Sequence, residues 1–232
     1  DMGRLMKKAQ EVGALVVWDL SHAAGAVEID LMGNAADFAV GCGYKYLCGG
    51  PGAPAYLFIH PKHQNKQWPS IPGWMGHLDI YAFAGRYEPN PGIISQSTGS
   101  PVIIPNEIFS AAVEIWGKVS VREIDKKHES LTRLFHQLIP QECGSLGAEM
   151  ISPAEHSESG GHVSIRHPGA GPVSEALLEH GVVSSFRKPD SIRFGISPLY
   201  HSHQDIWEGI QRLKKVLSGE IWKEERFQKV SV

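Results

Sequence analysis

The hydrophobic positions at the start of the chain predict a helix followed by buried strands. Helical spacing recurs at Leu5, Met6, Ala9 and Val12. Gly13 is a plausible end for this helix, because glycine often follows the last helical turn. Continuous apolar runs then follow at residues 14–18, 38–41 and 55–59. Runs that are apolar on both faces are typical of strands buried in a parallel sheet, so this order indicates an α/β domain.

The pattern changes after the third run. Residues 61–105 carry many of the prolines and glycines and show little periodicity, which inside a compact protein is typical of a functional loop. Helical spacing returns over residues 106–116, 125–139, 173–180 and 206–217, and strand patterns lie at 162–166, 182–186 and 192–196. We therefore predict a first domain with interdomain helices over residues 1–139 and a smaller α+β domain over residues 140–232.

Composition and charge exclude several classes of function. The 22 basic and 25 acidic residues leave a net charge of −3, which does not suit a nucleic-acid surface. The apolar runs are far shorter than the ~18 residues of a membrane span, and no leader pattern is visible. Three cysteines are too few for a disulfide framework. We expect a cytoplasmic protein without nucleic-acid or membrane partners, cut from a longer chain, since a helical pattern is already running by Leu5.

Two charged residues at predicted strand ends are the candidate chemistry. Asp19 follows the first apolar run and Lys45 follows the second, and functional groups gather at the carboxyl ends of strands in open α/β sheets. A lysine that forms a Schiff base and a carboxylate that keeps a pyridinium nitrogen protonated are the groups that pyridoxal phosphate (PLP) requires. The structural alternative is a turn-forming Asp and a solvated Lys.

Three motifs surround this pair in chain order: DLSHAAG from Asp19, YKYL from Tyr44 and PGWMGH from Pro72. Together they resemble kynureninase, a family of PLP-dependent enzymes with the aminotransferase-like type I fold. The resemblance continues through SIRF and PLY near residue 200, but it covers only the C-terminal half of the family's length. It implies the C-terminal part of the PLP-binding large domain, with a mostly parallel sheet, and a smaller α+β C-terminal domain.

The resemblance implies a role for each residue near the lysine. Lys45 would form the Schiff base with PLP and move the substrate α-proton. Tyr44 would hydrogen-bond the cofactor phosphate and take part in proton transfer. Asp19 would hold the pyridine nitrogen, and His22 would lie beside the cofactor. Lys45 and Tyr44 are thus the implied catalytic residues.

Three more distant residues receive roles from the same resemblance. Trp74 would donate its indole N–H to the phosphate, since an indole is only a donor. Arg193 would bind the substrate α-carboxylate, which suits its planar guanidinium. Ser100 would contact cofactor and substrate. In the family the site lies at the interface of a homodimer, so Trp74 and Ser100 would reach the neighbouring subunit.

The implied reaction is hydrolysis of kynurenine, or of 3-hydroxykynurenine, to alanine and the corresponding anthranilate, a step of tryptophan catabolism and NAD biosynthesis. Family members that favour the hydroxylated substrate carry Asn where this chain has Ser100. The small hydroxyl predicts a preference for plain kynurenine. We expect the chain to be inactive without the N-terminal half of the family's length, which supplies phosphate contacts and an aromatic ring over the cofactor.

Two alternatives remain open from the sequence. A cysteine desulfurase-like PLP enzyme would use the same Asp and Lys but also needs a reactive cysteine on a mobile loop, and Cys143 lies in no obvious context of that kind. A non-catalytic half-chain could act only as a dimer partner. The twelve histidines include closely spaced pairs, His60 with His63 and His201 with His203, but no recognised metal pattern, so we predict no metal site.

Overall fold

The computed structural model describes residues 1–66 and 68–228, which form two compact units. The first comprises Asp1–Ala24 with Ile29–Lys118, and the second comprises Gly25–Glu28 with Val119–Val232. The sequence assigned residues 119–139 to the first domain as interdomain structure. Their helix groups with the second unit instead, because its apolar face, including Leu131 and Phe135, belongs to that unit's core. Within the described ranges, no helix is long and apolar enough to cross a membrane.

The first unit contains the three predicted strands, arranged in one sheet. Its elements are α1 (Met2–Glu11), β1 (Val17–Asp19), β2 (Phe38–Cys42), β3 (Ala55–Ile59), α2 (Pro61–Gln64) and α3 (Ile103–Trp116). The sheet order is β1-β2-β3, with β1 parallel to β2 and β3 antiparallel to β2. The parallel pair confirms the predicted parallel strands for the first two apolar runs and places the carboxyl ends of β1 and β2 at one edge, whereas the third run forms an antiparallel strand, because it returns directly beside β2.

The two faces of this sheet are covered to different extents. On the better covered face Ala39 is fully buried, and the Trp18 indole N–H lies 3.2 Å from Sδ of Met6 in α1. On the opposite face Val17, Val40 and Leu57 are 63%, 37% and 44% exposed. The prediction of strands buried on both faces is therefore wrong at these three positions. The same face is covered at its other end, where Ile59 is buried and the ring of Phe38 stacks on that of His63.

The buried carboxylate of Asp37 anchors the start of β2. It pairs with Nζ of Lys62 at 2.6 Å and with Nε2 of His63 at 2.8 Å, and it accepts the backbone N–H of Val16 at 3.1 Å. Burial raises the pKa of Asp37, but these three contacts outweigh it and hold the pKa at about 2. The ionised carboxylate thus joins β1, β2 and α2.

We expect Asp37→Asn to destabilise the chain by about 2–3 kcal/mol, because the amide leaves buried donors unpaired. The pKa lies below its ordinary value, so this stabilisation is complete above pH 4 and is lost as the pH falls from about 4 to 2. Denaturant unfolding at pH 7 and pH 3 checks both points. Asp79→Asn, at an exposed position, is the matched control, and equal stability of the two variants at pH 7 would contradict the prediction.

The second unit is a helix-backed antiparallel sheet, which confirms the predicted α+β pattern. Its elements are α4 (Val121–Leu138), β4 (Glu149–Met150), β5 (His162–Arg166), α5 (Ala170–Glu179), β6 (Ser185–Arg187), β7 (Ser191–Gly195) and α6 (His203–Ser218). The strand order is β4-β5-β7-β6, and every pair is antiparallel. A single hydrophobic core joins β5 and β7 to α4, α5 and α6. The two-residue β4 was missed because it is too short to show alternation.

His128 of α4 is a fully buried imidazole. Its ring centroid lies 5.6 Å from that of His156, whose Nε2 contacts Oδ1 of Asp125 at 2.9 Å. Burial, together with the neighbouring His156, lowers the pKa of His128 to about 4. The native unit therefore holds this ring neutral at pH values where the unfolded chain protonates it.

The depressed pKa predicts a pH-dependent loss of stability. Stability is complete above about pH 6.5 and falls, by up to about 3 kcal/mol, as the pH drops to about 4. We expect His128→Leu to flatten the pH dependence of the free energy of unfolding in that window. His203→Leu, at an exposed position, should leave the slope unchanged. An unaltered slope in the His128 variant would contradict the assignment.

Candidate active site

Asp19 is an exposed carboxylate at the carboxyl end of β1. Its Oδ1 accepts the backbone N–H of Ser21 at 2.9 Å. Hydrogen bonds from Ser21, with smaller contributions from the charges of Lys45 and His22, lower the pKa of Asp19. The structure therefore brings Asp19 into electrostatic range of Lys45 and His22, and it keeps the carboxylate ionised near neutral pH.

Lys45 lies in a tight turn that follows β2. The turn closes through two backbone hydrogen bonds, from the N–H of Cys48 to the carbonyl of Lys45 at 2.9 Å and from the N–H of Gly49 to that of Gly43 at 2.8 Å. Gly49 is required here, since a Cβ would lie 2.8 Å from the Gly43 carbonyl oxygen. Nζ of Lys45 lies 5.2 Å from the ring centroid of half-exposed Tyr44, which places amine and phenol together.

Trp74 and Ser100 lie on two loops that pack against each other. Trp74 begins a short 3-10 turn, and the preceding Gly73 approaches the Thr98 carbonyl so closely that a Cβ would lie 1.7 Å from its oxygen. A Cβ on Gly99 would lie 4.0 Å from Nε1 of Trp74. The indole and the Ser100 loop are therefore neighbours, and both Trp74 and Ser100 are exposed.

Arg193 belongs to the second unit, in the middle of β7. It is paired in register with Ser164 of β5 and Ser185 of β6, on the face opposite Ile192 and Phe194. This alternation confirms the predicted orientation. The Nε atom of Arg193 is buried and has no hydrogen-bond partner in the structure. A guanidinium flanked by serines with an unused donor is a suitable anion-binding group.

The sequence missed Tyr56, whose hydroxyl is buried near the first group of residues. The ring lies over Gly41 of β2, where a Cβ would be 2.2 Å from the hydroxyl oxygen. Burial raises the pKa of Tyr56, with further contributions from Cys42 and Asp19. The hydroxyl has no hydrogen-bond partner in the structure. Only the glycine opposite the tyrosine could have signalled this packing.

Comparison with known proteins gives the family. The family model for the kynureninase C-terminal domain matches residues 124–213. Kynureninase of Deinococcus radiodurans is 41% identical over 217 residues, which are 94% of this chain and 53% of that protein. Kynureninase of Pseudomonas fluorescens is 36% identical over 228 residues, 98% of this chain and 55% of that protein. The chain corresponds to the C-terminal half of the kynureninase family.

The match to kynureninase includes the segment of Asp19, Lys45 and Trp74, although the family model itself covers only part of the second unit. The chain spans about half the length of the curated kynureninases it matches. In fold it is similar to an apo cysteine desulfurase from Thermococcus onnurineus, with a TM-score of 0.76 and 19% identity over 94% of this chain and 56% of that one. This likeness confirms the predicted type I fold.

The environment of the cysteines favours a kynureninase over a cysteine desulfurase-like enzyme. Cys143 is fully buried in the core of the second unit, and burial raises its pKa to about 11. A thiol in this state is not a nucleophile at neutral pH. Burial also raises the pKa of Cys48, beside the lysine turn. In the described parts of the chain, no group of three or more His, Cys, Asp or Glu side chains could hold a metal ion.

Proposed function

We propose that this chain supplies the lysine-bearing half of a PLP-dependent kynureninase, which hydrolyses L-kynurenine to anthranilate and L-alanine. The observation that carries the proposal is that Asp19 and Lys45 lie within electrostatic range of each other, after the carboxyl ends of two parallel strands, within a kynureninase-like sequence. The first unit would be the remainder of the PLP-binding domain and the second the small domain. A cytoplasmic homodimer, with Trp74 and Ser100 reaching the partner's site, completes the proposal.

The donor set around Lys45 suits PLP. Asp19 is an ionised carboxylate for a pyridinium nitrogen, Lys45 offers a partly exposed amine, and Tyr44 and Trp74 present exposed O–H and N–H donors for a phosphate. When bound, PLP supplies an electron sink that stabilises negative charge on the substrate carbons. None of these four side chains is committed to the hydrophobic core.

Each residue then has a defined task. Asp19 would lie against the ring nitrogen, where its negative charge would favour the protonated form. Lys45 would hold the cofactor through Nζ, and its amine would serve as the base for the α-proton of the substrate. Arg193 binds both oxygens of the substrate α-carboxylate and so orients the amino acid. Tyr44, next to Lys45, assists proton transfer while its hydroxyl holds the phosphate.

Complementation tests this function. The chain is co-expressed with the part of the Deinococcus radiodurans kynureninase that precedes its matched segment, supplied with PLP, and assayed for anthranilate by fluorescence and for alanine by chromatography. We expect equal amounts of both products from the pair, none from either half alone, and none from a pair that carries Lys45→Ala. A pair that binds PLP but leaves kynurenine intact would support the reading as a non-catalytic dimer partner and contradict the proposal.

Ser100 predicts the substrate preference of that pair. We expect a higher kcat/KM for kynurenine than for 3-hydroxykynurenine, because the serine hydroxyl is short and leaves an added buried hydroxyl unpaired at a cost of about 1–3 kcal/mol. Ser100→Asn should move the ratio toward the hydroxylated substrate. Ser70→Asn, also at an exposed position, should not. A wild-type preference for 3-hydroxykynurenine would contradict the role of Ser100.

A further inference from the structure

The turn that follows β1 is held by backbone hydrogen bonds. The N–H of Leu20 donates to a carbonyl of β2 at 2.8 Å, and the Leu20 side chain is buried. The carbonyl of Leu20 accepts the N–H groups of Ala23 and Ala24 at 3.0 and 2.9 Å. The backbone around Ser21 is therefore fixed, whereas the neighbouring Asp19 is exposed.

Ser21 offers two donors to the Asp19 carboxylate. Its backbone N–H lies 2.9 Å from Oδ1 of Asp19, and its hydroxyl hydrogen-bonds the same carboxylate. On the other side of this residue, Sγ of Cys42 lies 4.0 Å from the carbonyl oxygen of Ser21, which is a weak contact with the end of β2. Hydrogen bonds to an ionised group are stronger than those between neutral groups. Ser21 therefore fixes the Asp19 side chain relative to the ends of β1 and β2.

We propose that Ser21 is a positioning residue for Asp19, whose carboxylate its hydroxyl and N–H hold in one orientation for the ring nitrogen of the cofactor. The inference rests on the proposed function, because it concerns the task of Asp19 there. A carboxylate has about four acceptor positions, so two donors from Ser21 leave others open to a protonated ring nitrogen. With only one donor, the exposed Asp19 side chain samples more rotamers and adopts the productive orientation less often.

The Ser21 side chain is not needed to close the turn. The hydrogen bonds that close it join backbone groups of Leu20, Ala23 and Ala24. Removal of the hydroxyl in Ser21→Ala therefore leaves those bonds in place and also keeps the backbone N–H that donates to Asp19. Ser21→Thr retains the hydroxyl and adds only a methyl group. The two variants together separate the contact with Asp19 from the fold of the turn.

Titration of Asp19 without PLP tests the contact itself. Carbon-13 at Cγ of aspartate reports the carboxyl groups of this chain by NMR, and Asp19→Asn identifies the signal of Asp19. The donors of Ser21 hold the pKa of Asp19 below its ordinary value. We expect Ser21→Ala to raise that pKa, because the carboxylate loses its hydroxyl donor, and Ser21→Thr to leave it low. Ser70→Ala, at an exposed position, is the matched control and should leave the titration of Asp19 unchanged.

Kinetics of the complemented pair test the consequence for the reaction. We expect Ser21→Ala to lower kcat for kynurenine about 10-fold with KM nearly unchanged, which is the usual size of one lost hydrogen bond to a charged group, and Ser21→Thr to restore it. Circular dichroism checks that each variant folds. An unchanged pKa of Asp19 in folded Ser21→Ala, or a wild-type kcat in that variant, would overturn the proposal. A wild-type pair that binds PLP without hydrolysing kynurenine would contradict the proposed function, and the titration would still decide whether Ser21 holds Asp19.

Discussion

Replacement of Asp19 by Asn in the complemented enzyme should leave PLP attached to Lys45 yet reduce kcat for kynurenine by about 100-fold or more, the usual cost of removing a main electrostatic contact. The wild-type carboxylate is ionised because the N–H of Ser21 and the charge of Lys45 lower its pKa. A neutral amide does not favour a protonated ring nitrogen, so the electron sink weakens. Steady-state kinetics and the cofactor absorption spectrum of the same sample measure the two effects.

The control for this variant is Asp30→Asn, at an exposed turn of the first unit where the carboxylate accepts only local backbone hydrogen bonds. Its turnover should match the wild type. Turnover of the Asp19 variant within a few-fold of the wild type, with cofactor bound, would remove Asp19 from its assigned role. Loss of the cofactor itself would show that Asp19 contributes to binding more than to reactivity.

Replacement of Arg193 by Lys should raise KM for kynurenine by about 10–100-fold with a smaller change in kcat, because an ammonium cannot form the two parallel hydrogen bonds of a guanidinium. Arg193 lies between Ser164 and Ser185 on the face of the sheet away from the core, and its Nε has no partner within the structure. We therefore propose that Arg193 binds an anion rather than supporting the core.

Arg187→Lys is the matched control, since Arg187 is an exposed arginine on the neighbouring strand β6. An analogue of kynurenine without the α-carboxylate tests whether the effect of Arg193→Lys depends on that carboxylate. It should be a poor substrate for the wild type and be equally poor for the Arg193 variant. Unchanged KM in Arg193→Lys would place carboxylate binding elsewhere.

The sequence predicted the order of the elements and the residues at the strand ends well. The three apolar runs of the first unit are strands, because continuous β-branched and aromatic residues leave few alternatives at that length. The proximity of Asp19 and Lys45 could be predicted from the sequence, because parallel strands bring their carboxyl ends to one edge of the sheet. The alternation of Ile192, Arg193 and Phe194 likewise predicted the face on which the arginine lies.

The remaining errors have physical causes. A continuous apolar run predicts that a strand is covered on both faces, but it does not show which residues cover it. The exposure of Val17 and Leu57 was therefore not expected from the sequence. The predicted boundary at residue 139 differs from the division into two units because the helix before it has an apolar face, and the sequence does not show against which unit that face packs. Tyr56 was missed because its hydroxyl acquires significance only through packing over Gly41.

Covalent labelling tests the central claim, that Lys45 is the cofactor lysine. The complemented pair is incubated with PLP, reduced with borohydride, digested and mapped by mass spectrometry, with Lys45→Ala and the exposed Lys66→Ala prepared in parallel. We predict one dominant adduct, on Lys45, which disappears in the first variant and persists in the second. A dominant adduct on another lysine, or labelling that Lys45→Ala leaves unchanged, would contradict it.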